Sequence, residues 1–258
     1  MGAISRPTGR IGFRTVGILA LVTVALAQPL AAAAADEIGA GILGIDPSFA
    51  PPLGQRPGIV LQRVRHPTSE QIRWADTEPS IAGTADLGAG RLLVRLDRFG
   101  RKVEHEMTAA LRSADGELVL DLRRNHGGLL RRMLKVAARF TGPVPGAVRL
   151  IKDGGVRALA IPAPRVPVWR GPITVLAGPD TISSGEVLAA LLRRHAGARV
   201  LGERTWGKDY VLRIEPIDHD WRALVPDDRI AVPGEVLAGG LVPDGPIPER
   251  LAASLPPR

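Results

Sequence analysis

Between Arg91 and Gly202 the chain alternates short apolar runs with longer amphipathic stretches, and this alternation limits its fold more than any other feature. The runs are Arg91 to Leu96, Glu117 to Leu122, Pro172 to Ala177 and Arg199 to Gly202. Each has the length and aliphatic character of a buried strand. Lys102 to Ser113, Leu129 to Phe140 and Ser183 to His195 carry apolar residues at helical spacing. Val103, Met107, Ala110 and Leu111 share one face, as do Leu130, Met133, Leu134 and Ala137. Strand, helix, strand in succession predicts crossover connections and a mostly parallel sheet, so the expected fold class is α/β. Shorter β-like pieces, Val211 to Ile214 and Arg222 to Val225, follow among prolines. They are expected to add β structure at the C-terminal end of the core.

Composition narrows the chemistry. The 258 residues contain no cysteine, which removes disulfides, thiolate metal sites and cysteine nucleophiles. His66, His105, His126, His195 and His219 show no zinc-binding spacing, so a histidine-built zinc site is not expected. There are 34 basic residues against 26 acidic ones. Arg6, Arg10 and Arg14 account for three of the excess. The remaining charges are interspersed, without interleaved aromatic rings, so nucleic acid is not the expected partner. Only Lys102, Lys135, Lys152 and Lys208 are lysines. Any role that needs an amine able to lose its proton must fall on one of these four.

Residues 1–35 read as a signal peptide. A basic segment precedes the apolar stretch Thr15 to Ala27, and the small-residue run Ala31 to Ala35 offers a cleavage site before Asp36. The apolar stretch is shorter than the ~20 residues needed to span a bilayer. Export to a periplasm or cell envelope, with no stable membrane span after cleavage, is the expectation. Residues 36–88, rich in proline and glycine, are expected to form an irregular N-terminal cap. Within them Gly58 to Val64 reads as a strand and Glu70 to Asp76 as a helical turn. Residues 89–258 form the expected core.

Two strand-to-helix junctions carry unusual residues, and ligands of open α/β sheets bind beyond the carboxyl ends of strands. Asp121-Leu-Arg-Arg-Asn-His-Gly-Gly128 brings two glycines to a helix start, where backbone N–H groups can approach a ligand closely. Asp180-Thr-Ile-Ser-Ser-Gly-Glu186 places hydroxyls at the next helix start, where amide donors could hold a developing oxyanion. Taken singly, each has a plainer explanation. Ser183-x-x-Glu186 is a capping box, Gly127-Gly128 a turn, His126 a solvated loop side chain and Lys208 a surface lysine.

In combination these segments resemble the carboxyl-terminal processing, or tail-specific, peptidases of the S41 serine peptidase family. Leu118-Val-Leu-Asp-Leu-Arg-Arg-Asn-His-Gly-Gly128 is similar to that family's strand followed by D-L-R-x-N-x-G-G. Thr181-Ile-Ser-Ser-Gly-Glu-Val187 resembles its serine segment. Val200-Leu-Gly-Glu-Arg-Thr-Trp-Gly-Lys208 resembles its lysine segment, and Gly240-Leu-Val-Pro-Asp244 its late G-I-x-P-D. The resemblance implies a core related to the crotonase and Clp protease folds, with Ser183 as nucleophile and Lys208 as general base. Gly127, Gly128 and Ser184 would act as oxyanion donors and Glu186 would orient groups near the serine. It also implies a polypeptide substrate, such as an unstructured protein tail, and a serine peptidase needing no cofactor.

Some positions depart from the pattern. Leu212 stands where many members have Gln, Arg194 where some have Asp, and Asp209 where Gly is usual. Asp209 would oppose the base role if it faced the amine, and is expected to point outward. Residues 36–88 hold no recognisable counterpart of the family's PDZ domain, so an adaptor or delivery protein is a candidate partner. A non-catalytic peptide-binding scaffold and a hydrolase of another ester or amide are the rival readings. A neutral lysine requires an amine whose pKa falls ~3 units from ~10.4, which burial in an apolar pocket can achieve. Trp206, Val211 and Leu212 are the expected walls.

Overall fold

In a computed structural model of the chain, the described residues are 62–65, 78–112, 114, 116–216 and 221–256. The expected signal peptide and the helical turn from Glu70 to Asp76 lie outside them. The elements in chain order are β1 (Gln62–Arg65), β2 (Ile81–Asp86), β3 (Arg91–Leu96), α1 (Val103–Ala110), β4 (Glu117–Asp121), α2 (Leu130–Thr141), β5 (Val144–Lys152) and β6 (Gly155–Ile161). Then follow β7 (Ile173–Ala177), α3 (Ser184–Ala196), β8 (Arg199–Gly202), β9 (Tyr210–Pro216), β10 (Trp221–Ala231) and α4 (Glu249–Ala252).

The main sheet has the order β2-β3-β4-β7-β8. β3, β4, β7 and β8 are mutually parallel, and β2 closes one edge antiparallel to β3. Its central strands are apolar on both faces because both faces are covered. Leu93, Val119, Leu176 and Leu201 face one way and pack with Leu251 of α4. Val94, Leu96, Leu118, Leu120, Val175 and Val200 face the other way, into the large core formed with α1, α2 and α3. The β4 triplet Leu118, Val119 and Leu120 is wholly buried, as a strand covered on both sides requires. Full burial of each large aliphatic side chain contributes about 1.5–3 kcal/mol.

The second sheet is antiparallel, in the order β1-β10-β5-β6, with β9 also paired to β10. Val148, Leu150, Ile161 and Ile230 from this sheet join the helix-facing core, so the helical layer meets both sheets.

The strands at the C-terminal end form as expected, though longer, as Tyr210–Pro216 and Trp221–Ala231. Two features differ from the sequence reading. Ile81 to Asp86, assigned to the irregular cap, is an edge strand of the main sheet. The buried Ser80 and the Glu106 carboxylate hold its start, with Ser80 N–H donating to Glu106 Oε2 at 2.7 Å. Four of its six residues are exposed and the other two half-buried, so its sequence carries no clear hydrophobic alternation. The β5–β6 hairpin is not among the elements the sequence predicts. β5 alternates imperfectly through Pro145 and Gly146, and the outer strand β6 is largely exposed.

Candidate active site

The loop after β7 delivers Ser183 to the head of α3 with φ 55° and ψ −117°, a positive-φ conformation that costs a non-glycine residue of order 1–3 kcal/mol. Surrounding bonds hold it there. Thr181 Oγ1 donates to Leu122 O at the end of β4 (2.8 Å) and accepts from Gly178 N–H (3.0 Å). Ile182 N–H donates to Asn125 O at 2.8 Å. The Ser183 N–H donates to Glu186 Oε2 at 2.8 Å, the half of the capping box that ties the serine backbone to α3.

The Asp121-to-Gly128 turn lies directly against this loop. Asn125 is fully buried; its amide nitrogen donates to Leu96 O (2.7 Å) and its Oδ1 accepts from Gly127 N–H (2.9 Å). Gly127, at φ +91°, sits so close that a Cβ there would lie 3.1 Å from Ser183 Cβ and 3.0 Å from Ile182 O. Gly128 is held by Phe99, whose N–H donates to Gly127 O and whose O accepts from Leu129 N–H. Gly128 O also accepts from the Ser184 hydroxyl at 3.1 Å. Among the described residues, the backbone N–H groups of Gly128 and Ser184 take no hydrogen-bond acceptor, whereas that of Gly127 is committed to Asn125. Ser184 opens α3, where the first backbone N–H groups have no partner within the helix.

Lys208 reaches the same place through Glu186. This carboxylate, 0% exposed, accepts from Thr205 Oγ1 and Gly207 N–H through Oε1, both at 2.6 Å. Through Oε2 it accepts from Lys208 N–H at 2.9 Å and from the Ser183 N–H already described. One oxygen atom thus holds the backbones of Ser183 and Lys208 together. Hydrogen bonds to a charged group contribute about 1.5–3 kcal/mol each. Burial pushes the Glu186 carboxyl up, and the four donors pull against that rise. Gly240 and Leu241 brace the lysine loop from behind. Leu241 N–H donates to Thr205 Oγ1 (2.7 Å), and Gly207 approaches the Gly240 backbone too closely for any Cβ.

Burial holds the Lys208 amine below its ordinary value of 10.5, with the Glu186 charge opposing more weakly. Asp209 does not act on the amine: its Oδ2 accepts from Arg229 Nη2 at 3.1 Å, and its side chain is largely covered. Arg194 lies against Gly234, near the C-terminal segment. The structure therefore brings Ser183, Ser184, Gly127, Gly128, Glu186 and the Lys208 backbone into one cluster. The Ser183 hydroxyl and the Lys208 amine do not hydrogen-bond to each other in it. Asn125, Thr205, Phe99 and Tyr210 were not singled out from sequence. Asn125 and Thr205 stand inside the motifs already quoted, which is the one signal that could have found them.

An α/β fold with a strained serine at a helix start, an uncommitted glycine amide beside it and a desolvated lysine anchored through the same carboxylate has the parts of a serine hydrolase. The model of peptidase family S41 matches residues 91–244, and the chain belongs to that family. A carboxyl-terminal-processing protease of Picosynechococcus sp. is 24% identical over 231 residues, covering 84% of this chain and 55% of its own length. The corresponding protease of Synechocystis sp. is 32% identical over 123 residues, covering 46% of this chain and 28% of its own. Among solved structures, the photosystem II D1 C-terminal processing protease matches with a TM-score of 0.56 and 22% identity, over 75% of this chain and 56% of that one. A lipoprotein from Streptococcus agalactiae matches with a TM-score of 0.59 and 15% identity, over 75% of this chain and 73% of that one. These two likenesses show the fold. The chain spans about half the length of the Picosynechococcus relative and less of the Synechocystis one.

Proposed function

We propose that the chain is a serine peptidase in which Ser183 is the nucleophile and Lys208 the general base. The observation that carries this reading is the shared Glu186 oxygen, which fixes the backbones of both residues. Neutral Lys208 Nζ takes the proton from Ser183 Oγ as that oxygen bonds to the scissile carbonyl carbon. The carbonyl oxygen becomes an oxyanion and accepts from the N–H groups of Gly128 and Ser184. One such donor is worth ~10²–10³ in rate. The C–N bond then breaks, the leaving amine takes the proton from Lys208, and water releases the acyl group by the same steps. Gly127 supports the hole by shape, since its own N–H is held by Asn125.

The substrate class we infer is unstructured polypeptide, including protein tails, acted on in the periplasm or cell envelope after removal of residues 1–35. A delivery partner that presents the polypeptide is part of this reading. Among the described residues no helix is long and apolar enough to cross a membrane. A fluorophosphonate probe tests the reading. Labelling of the intact chain that is lost in Ser183→Ala and in Lys208→Ala is expected, together with cleavage of an unfolded polypeptide. An intact chain that takes no label at any pH would leave only a scaffold role. Turnover of esters without peptides would point to another hydrolase.

A further inference from the structure

The Lys208 Nζ stands over the ring of Tyr210, the chain's single tyrosine, 5.6 Å from the ring centroid. An ammonium within ~6 Å of an aromatic face is attracted by the ring's negative π-surface, and a neutral amine is not. The other charged groups near the amine are accounted for. Glu186 of α3 acts on it directly, with both carboxylate oxygens already engaged by four donors. Asp209 acts on Tyr210 rather than on the amine, and is paired with Arg229 of β10. The Ser183 hydroxyl does not bond the amine in this arrangement. Leu212, where many family members have Gln, offers no polar atom.

Resting on the Ser183/Lys208 reading, we propose that Tyr210 is a positioning residue for Lys208: its ring holds the protonated amine off the serine and releases it once the proton is lost. The attraction that keeps the amine on the ring exists only for the charged form. Deprotonation removes it, and the neutral amine is then free to seek the Ser183 hydroxyl as acceptor. Tyr210 so couples the lysine's position to its charge.

The test uses a chain with ε-carbon-labelled lysine, in which Lys208→Met identifies the Lys208 resonance among four. The NMR titration midpoint of Lys208 is read in the wild type, in Tyr210→Phe and in Tyr210→Leu. Tyr210→Met takes the place of the leucine variant if that one does not fold. Loss of the ring is expected to lower the midpoint by about half a pH unit or more, the equivalent of an ordinary cation–π contact. Tyr210→Phe is expected to match the wild type. The acid limb of fluorophosphonate labelling should move down by the same amount. An unmoved or raised midpoint in Tyr210→Leu overturns the proposal, as does a fall in labelling at every pH without movement of the limb. If Tyr210→Phe behaves like Tyr210→Leu, the hydroxyl and not the ring is responsible, and the proposal also fails. These failures leave the dyad reading intact when the wild type is labelled. A wild type that takes no label overturns the dyad itself, whatever the midpoint does.

Discussion

Glu186 gathers more of the site than any other side chain. Its two oxygens satisfy Ser183, Thr205, Gly207 and Lys208 at once, in a position shut off from water. Glu186→Gln replaces one acceptor oxygen with an amide that itself donates. At least one buried N–H or hydroxyl then loses its partner, at a cost of about 1–3 kcal/mol in urea unfolding. Displacement of the Ser183 and Lys208 backbones by a fraction of an ångström to an ångström should lower labelling about a hundredfold. The lysine carries its own pH signature. Burial depresses the folded amine below its unfolded value, so between the two the unfolded chain binds more protons. Wild-type stability therefore rises with pH through that window. Lys208→Met removes the linkage. The variant should be more stable than the wild type at neutral pH, and that advantage should vanish above 10.5, the ordinary lysine value. Urea midpoints measured along a pH series read both.

At the scale of elements, the β4-to-α2 turn and the β7-to-α3 loop work as one unit. Asn125 and Thr181 bond across them, and Gly127 lets them close to contact. Gly127→Ala would place a Cβ 3.0 Å from Ile182 O and force a side chain onto φ +91°. The expected loss is about 1–3 kcal/mol in thermal or urea unfolding. Labelling should fall far more steeply than the folded fraction, because the displaced loop carries Ser183, the proposed nucleophile. On the far side of this unit, Phe99 pairs with Gly128 and is almost wholly buried. Phe99→Ala should cost about 3–5 kcal/mol. The sequence displayed the turn's glycines plainly. It did not display Phe99, because one aromatic residue between Arg98 and Gly100 has no periodic context to mark it as core.

Across the whole molecule, the segment after β10 returns to lock the site in place. Arg193 of α3 pairs with Glu235 and with Asp244, and donates to Val242 O at 2.8 Å. The Asp244 N–H donates to Val200 O of the edge strand β8 at 2.7 Å, and its side-chain Oδ2 accepts from the Val200 N–H at 2.8 Å. This edge-strand closure explains the late Gly240-to-Asp244 motif as a brace for the lysine loop. Asp244→Ala should destabilise the chain by about 1–3 kcal/mol. Amide exchange should accelerate in β8 and in the 240–245 segment before it does so in β4.

The sequence alone determined the parallel core and its two chemical junctions. Continuous apolar runs separated by helical periods admit few other arrangements, and glycine pairs beside helix starts limit where a ligand can lie. Ser183, Lys208, Glu186 and the two glycines were legible because they sit in compact motifs. Only the tertiary structure decided what Glu186 does, that the Gly127 amide is spent on Asn125, and that Tyr210 lies under the lysine. Glu186 reaches Thr205, Gly207 and Lys208 on a distant loop, up to 22 positions away, while the Gly127–Asn125 and Lys208–Tyr210 contacts join residues two positions apart whose backbone conformation the surrounding elements impose. Such distances are set by how the layers pack, which local sequence pattern does not encode.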